Sequence, residues 1–316
     1  MALNDIVGQE RALRILFGML RRDRVPSALL FSGDTGIGKR LAAVNYAKAI
    51  NCLEPADFDC CDTCASCKKI DAATHPDVTF AFPEKDEIKI DAVRKLEEKL
   101  FFKALEGRKK VAIVDDADTM NINAANAFLK TLEEPPSDSL VVLVSSNPDG
   151  LPDTIRSRCI AIRFYPLSNE SFRKVVSGGV GKEDMDSVSN LSMGRPGLTL
   201  AGDFVKDMEW FTGLLVSMIH EESKEAWADK EAIRIWLDMA FIFLRDMVIF
   251  KITGNESDML YAKGNRTFRK KVDINEILDT YKSLEKLRGL LDFNLNKSIT
   301  WNYVANMMRT VIGNRV

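Results

Sequence analysis

An α/β domain with a parallel sheet, followed by a small and then a larger all-helical domain, is the fold class this sequence predicts, on three observations. Residues Ala28 to Gly33 (ALLFSG) form a short apolar run ending in glycine. A loop follows, then Leu41, Val44, Ala47 and Ile50 at helical spacing, which gives strand, loop, helix. Further apolar runs at Val78 to Phe82, Val111 to Val114 and Leu140 to Val144 alternate with helix-like stretches at Ala92 to Leu105 and Asn123 to Leu132. Such alternation predicts parallel strands flanked by helices. Pro135 and Pro136 end the last of these helices. After about Tyr165 the strand-like runs stop, and the remainder reads as helices punctuated by Gly178, Gly179, Gly181, Gly194, Gly197 and Gly202.

A chain of 316 residues, 46% of them hydrophobic, is long for a single core, so two or three domains are expected. The division read from the pattern is 1–165, 166–205 and 206–316. Lys plus Arg (44) nearly cancel Asp plus Glu (46), so no global basic field draws the chain onto nucleic acid. Asp5 and Glu10 interrupt the opening MALNDIVGQERALRI, which does not read as a secretory leader and implies a cytoplasmic protein. The most apolar stretch, Ile235 to Phe250, carries Asp238, Arg245 and Asp246, so it reads as a buried helix and no membrane is implied.

The segment Gly33-Asp34-Thr35-Gly36-Ile37-Gly38-Lys39-Arg40 fits a phosphate-binding loop at every position but the last. Its glycines let backbone N–H groups wrap phosphates at a helix N-terminus, and Lys39 would neutralise the β and γ oxygens. A bland reading is a glycine-rich turn with an incidental lysine. Arg40 stands where Ser or Thr would offer Mg²⁺ a hydroxyl, and a guanidinium cannot ligate a cation. The strand Val111 to Val114 ends in Asp115-Asp116, which resembles a Walker B element whose first carboxylate helps hold the metal. The plain alternative for that pair is a solvated turn. ATP or ADP binding is therefore doubtful, and Mg²⁺ more so.

Five of the six cysteines lie between Cys52 and Cys67, and Cys52, Cys61, Cys64 and Cys67 have the spacing C-x8-C-x2-C-x2-C. Four thiolates so spaced suit tetrahedral Zn²⁺ in a closed, structural site. A disulfide framework is the alternative, and a reducing compartment disfavours it. Cys60 competes as a ligand, Cys159 reads as a packed thiol, and His75 is a conceivable ligand that suits a structural role better. Acidic Glu54, Asp57, Asp59 and Asp62 argue against DNA reading by this loop.

Together with these features, the run Ala124-Ala125-Asn126-Ala127-Phe128-Leu129-Lys130-Thr131-Leu132-Glu133-Glu134-Pro135-Pro136 resembles the bacterial clamp-loader subunits of the AAA+ family. Ser157-Arg158-Cys159 looks like that family's SRC motif, which makes Arg158 the implied arginine finger, reaching in trans into a neighbour's ATP site. Gly8-Gln9 matches the box near the adenine, and Ser146 falls near the sensor-1 position. AAA+ ATPases usually have Glu where Asp116 stands, and the position of the sensor-2 arginine aligns to Gly197, with Arg195 displaced. Asn294-Leu295-Asn296 resembles the family's C-terminal end.

The resemblance implies an AAA+ P-loop domain with a zinc-binding insert at about 52–67, a small helical lid domain and a helical C-terminal collar domain. It also implies a non-motor subunit. The implied partners are motor subunits (gamma/tau) and a delta subunit in a hetero-pentamer, with the sliding clamp and primed DNA met through the complex. Two other readings stand beside it: a self-sufficient AAA+ ATPase that tolerates Arg40, and a zinc-dependent DNA-binding module with a vestigial nucleotide fold.

Overall fold

The computed structural model describes all residues except 85–86, 178–184, 202–203, 221–226, 262–271, 292–295 and 313–316. Gly178, Gly179, Gly181, Gly202, Asn294 and Leu295 therefore lie outside the described residues. The chain divides into two compact units, Met1–Val176 with Gly194–Leu198, and Ser177–Met193 with Thr199–Val316.

In the first unit, five strands form one parallel sheet: β1 (Ala28–Ser32), β2 (Val78–Ala81), β3 (Lys110–Val114), β4 (Ser139–Ser145) and β5 (Ile160–Arg163). Their order is β2-β3-β4-β1-β5. Every residue of β1, β3 and β4 is buried, as expected where helices cover both faces of a parallel sheet, and this is why these strands read as unbroken apolar runs. Successive side chains serve opposite faces. Leu29, Phe31, Val111, Ile113 and Val142 pack with α1 (Glu10–Arg21) and α2 (Lys39–Asn51), through Leu13, Leu16, Ala43, Tyr46 and Ala47. Leu30, Ala112, Val114 and Leu143 pack on the other side with α4 (Ile90–Phe101) and α5 (Ile122–Glu133), through Val93, Leu96 and Phe128. A short α3 (Ala65–Asp71) follows α2.

β5 is an edge strand with only Ile162 buried, so it presents no apolar run to be read. The helix expected over Ala92 to Leu105 ends at Phe101. The reason is Asp77, fully buried, whose carboxylate accepts the backbone N–H groups of Leu105, Glu106 and Gly107 at 2.8, 2.7 and 2.7 Å and pairs with Lys110 Nζ at 2.9 Å. Asn51 Oδ1 accepts the next two, from Arg108 (2.8 Å) and Lys109 (3.0 Å). Those groups are spent on two side chains and cannot extend a helix. Burial pushes the Asp77 carboxyl up, but the N–H groups and Lys110 outweigh it and hold the group well below the usual carboxylate range.

α6 (Asp153–Arg156) and α7 (Asn169–Val176) complete the first unit with the start of α9 (Pro196–Ala201). The described helices lying wholly in the second unit are α8 (Met185–Ser192), α10 (Phe204–His220), α11 (Lys230–Thr253), α12 (Ile274–Gly289) and α13 (Lys297–Ile312). Asp229 caps α11 by accepting the Ala232 N–H at 2.8 Å, and Gly254, at φ +68°, ends it. Its core is aromatic: Phe211 meets Trp236 and Phe243 at 5.2 and 5.7 Å, and Trp227 meets Trp301 at 4.9 Å. Trp236 is thus accounted for by burial inside the unit, whereas Phe241 is half-buried and packs on Tyr281 at 4.8 Å. Among the described residues, no helix is long and apolar enough to cross a membrane.

Because the folded-state pKa of Asp77 is depressed, its contribution is fully present above the unfolded value near 4 and is lost as pH falls through the folded value. Asp77→Asn should cost about 3 kcal/mol near neutrality, and the gap to the native chain should narrow in acid. Urea unfolding midpoints at the two conditions check this.

Candidate functional site

β1 delivers its C-terminal end to the point where neighbouring connections run in opposite directions, the usual crevice for ligands in such sheets. The predicted loop begins there. Gly33, Gly36 and Gly38 have φ of +143°, +80° and +94°, a region that side-chain-bearing residues rarely adopt. Thr35 is exposed at the loop. Lys39 opens α2 and folds back, its Nζ donating to the carbonyls of Gly33 (2.6 Å) and Asp34 (2.7 Å). Burial lowers its pKa, against the raising influence of Asp116, Asp115, Asp118 and Asp34.

Gln9 is buried and ties three segments together. Its Nε2 donates to the carbonyls of Ile37 (3.2 Å) and Tyr165 (2.7 Å), and its Oε1 accepts the Tyr165 N–H at 3.2 Å. Ser146 directly follows β4, and its N–H donates to Asp118 Oδ1 at 3.1 Å, which joins it to the turn after β3. Asp116 sits in that turn in the left-handed region, φ +46°, where the short polar side chains of Asp and Asn are tolerated.

Arg40 and Asp115 are brought together, with Arg40 Nε 3.6 Å from Asp115 Oδ2 and the guanidinium 4.6 Å from the centre of the Phe82 ring. Burial and the neighbouring Asp116 raise the Asp115 pKa, while Arg40 and Lys39 oppose the shift. A donor-only guanidinium lies against the carboxylate that would hold Mg²⁺, so these residues do not fit the metal. The loop is also covered. The Gly197 N–H donates to the Gly36 carbonyl at 2.7 Å, and a Cβ at position 197 would lie 2.8 Å from Gly36 Cα. Only glycine allows that approach.

Arg158 lies beyond α6. Its Nη1 donates to the Thr154 carbonyl at 2.8 Å and its Nη2 pairs with Glu133 Oε1 at 2.5 Å. Among the described residues, no hydrogen bond or ion pair joins it to Lys39, Arg40, Asp115 or Asp116.

Cys52 follows α2, Cys61 and Cys64 lie in the loop beyond, and Cys67 is in α3. Their four sulfur atoms lie within 4.8 Å of one another, with Cys52 Sγ at 3.5, 3.9 and 3.8 Å from those of Cys61, Cys64 and Cys67. Tetrahedral Zn²⁺ with Zn–S bonds of about 2.3 Å sets its sulfurs ~3.8 Å apart, so the cluster fits such an ion. The N–H groups of Thr63 and Cys64 bring the Cys61 thiol down to about 6. Burial pushes Cys64 up, but the N–H groups of Cys67 and Leu53 outweigh it and its net shift is downward. Burial pushes Cys52 and Cys67 up, a shift that a bound cation would reverse.

Cys60 lies outside this set, buried, with its thiol pushed up to about 11 by burial and by Asp59. Cys159 packs beneath α5 and is likewise pushed up to about 11 by burial. His75 is engaged elsewhere: its Nε2 meets Ser66 Oγ at 3.1 Å and its Nδ1 accepts the Asp77 N–H at 3.1 Å.

Sequence reasoning missed what holds the cysteine loop. Lys48 has a fully buried side chain that pairs with Asp71 at 2.8 Å and with Asp62, and Asp59 accepts the N–H groups of Leu3 and Asn4 at 3.0 and 2.8 Å. A lysine among Ala47, Ala49 and Ile50 of α2 was the one visible sign, since a buried ammonium needs carboxylates nearby.

A phosphate-type loop at the head of a parallel sheet, with paired carboxylates ending β3, defines an AAA+-like α/β protein in which Arg40 lies against the first of those carboxylates. The family described as "DNA polymerase III, delta subunit" matches residues 8–168, and the chain belongs to it, as a clamp-loader subunit of the delta-prime kind. It is 30% identical over 270 residues to DNA polymerase III subunit delta' of Bacillus subtilis, covering 80% of each chain. It is 42% identical over 135 residues to the delta' subunit of Pseudomonas aeruginosa, covering 42% of this chain and 41% of that one. The tau subunit of Bacillus subtilis is 28% identical over 301 residues, covering 84% of this chain and 53% of tau. The crystal structure of a gamma subunit-related protein from Thermotoga maritima shares the fold, with TM-score 0.50 and 20% identity over 94% of this chain and 99% of that one.

Gly197→Ala should force the backbone at residue 197 away from the loop, because the atoms a Cβ would meet there are backbone and cannot rotate aside. A loss of about 1–3 kcal/mol, read as a lower urea midpoint, is expected.

Proposed function

We propose that this chain is a non-motor subunit of a hetero-pentameric clamp-loader ring, assembled with motor subunits (gamma/tau) and a delta subunit, which helps place the sliding clamp on primed DNA. The observation that carries this reading is Arg40 lying against Asp115, the carboxylate that would hold the catalytic cation. Asp116 in place of Glu points the same way, because a carboxylate one methylene short of its working position can cost about 10²-fold in rate. Chemistry at Gly33, Thr35, Gly36, Gly38, Lys39, Gln9 and Ser146 is reduced to, at most, nucleotide binding. Arg158 then acts on the ATP of a neighbouring subunit as a finger supplied in trans, a device worth 10³ to 10⁵ in phosphoryl transfer generally.

In the same reading, Cys52, Cys61, Cys64 and Cys67 hold a structural Zn²⁺, which when bound crosslinks the end of α2 to α3. Residues 166–205 form the lid and 206–316 the collar that joins the ring. The protein works in the cytoplasm, and DNA is met through the assembled complex.

The purified chain should hydrolyse no ATP with Mg²⁺, and should support clamp- and DNA-stimulated turnover when mixed with motor and delta subunits. Robust turnover by the chain alone would make it a motor that tolerates Arg40. Arg158→Ala should still assemble, yet bring stimulated turnover down toward that of the sites it does not serve. Unchanged turnover in a correctly assembled complex would remove Arg158 from the mechanism.

Elemental analysis of the same preparation should give one zinc per chain. Cys61→Ser should lower zinc retention in a chelator titration by about 10-fold or more, because one of four ligands is lost. A fully folded native chain with no zinc after growth in zinc-replete medium would refute the structural-metal reading.

A further inference from the structure

We infer that Glu133 is the positioning residue for Arg158; this rests on the finger reading above and adds a second residue to it. Glu133 is the last residue of α5, and the Glu134 N–H that follows donates to the Lys130 carbonyl at 3.0 Å, so the helix is intact up to the carboxylate. Pro135 and Pro136 then end it. Arg158 reaches this helix end from the residues just beyond α6.

The guanidinium is held at two points. The Thr154 carbonyl takes Nη1 at 2.8 Å and Glu133 Oε1 takes Nη2 at 2.5 Å. A guanidinium carries five N–H donors in a rigid plane, so two fixed contacts set the direction of the remaining three. The Arg158 side chain is 35% exposed and that of Glu133 is 50% exposed. An ion pair so placed adds little to stability. It nonetheless restricts a side chain with many rotamers, and a group held near its working geometry loses less on engaging a partner. Glu133 thus prepares the finger, and the donors it leaves unused are the ones offered to a phosphate.

The test uses the complete complex with motor and delta subunits, clamp and primed DNA, and reads ATP turnover against ATP concentration. The Arg158-dependent share is the difference between the native complex and Arg158→Ala. Glu133→Ala should cut the kcat of that share on the order of 10-fold with KM for ATP unchanged, less than loss of the finger itself. Glu133→Gln, which keeps an acceptor, should recover most of it. Adding Glu133→Ala to Arg158→Ala should cost nothing more. Glu133→Asp, one methylene shorter, gives the same reading should the alanine variant not assemble. Native turnover in Glu133→Ala, or turnover above native, alongside a clear loss in Arg158→Ala, would overturn the role of Glu133 and leave the finger standing. No loss in Arg158→Ala would overturn both.

Discussion

The position of β1 in the sheet governs the rest of the first unit. It lies between β4 and β5, buried on both faces, and hands the chain straight from Ser32 into the glycine loop. Because β1 pairs with β4 from Ala28 to Ser32, the residues after both strands, Gly33 and Ser146, emerge at the same edge. β3 pairs with β4 in turn and brings Asp115 to that edge. Loop, carboxylates and Ser146 are thus assembled by strand register, independently of whether any nucleotide is bound. A chain can keep this architecture and change the chemistry by altering only the side chains at the rim.

Much of this was legible because its causes are local. Strands buried on both faces are apolar through their middle, which is why β1, β3 and β4 were plain in sequence. Four cysteines at metal-ligand intervals announce a common partner by their spacing alone, and the loop motif needs its glycines at fixed offsets. What could not be read depends on pairs distant in sequence. β5 has a single buried side chain, Ile162, and so no pattern. The early end of α4 is imposed by Asp77 and Asn51, and nothing in residues 102–105 foretells it. The Glu133 partner of Arg158 and the carboxylates around Lys48 belong to the same class: charges whose meaning depends on the fold bringing them together.

Three sites in the first unit answer buried or crowded charge differently. Lys48 is withdrawn from water and answered by Asp62 and Asp71, and Asp77 is withdrawn and answered by Lys110 and backbone N–H groups. At the loop, Arg40 remains at the surface, over Phe82, and reaches only its side toward Asp115. The first two are struts that fix the cysteine loop and the segment before β3. The third keeps its cation at the surface beside a partly buried carboxylate.

The Arg40–Asp115 pair also makes the surroundings of Asp115 depend on one neighbouring side chain. Replacing the arginine by a hydroxyl-bearing residue would strip Asp115 of that cation while Asp116 stays beside it and Gly197 still covers the loop. The exchange would leave a partly buried carboxylate less well compensated, so positions 40 and 115 are tied to one another as a charge pair.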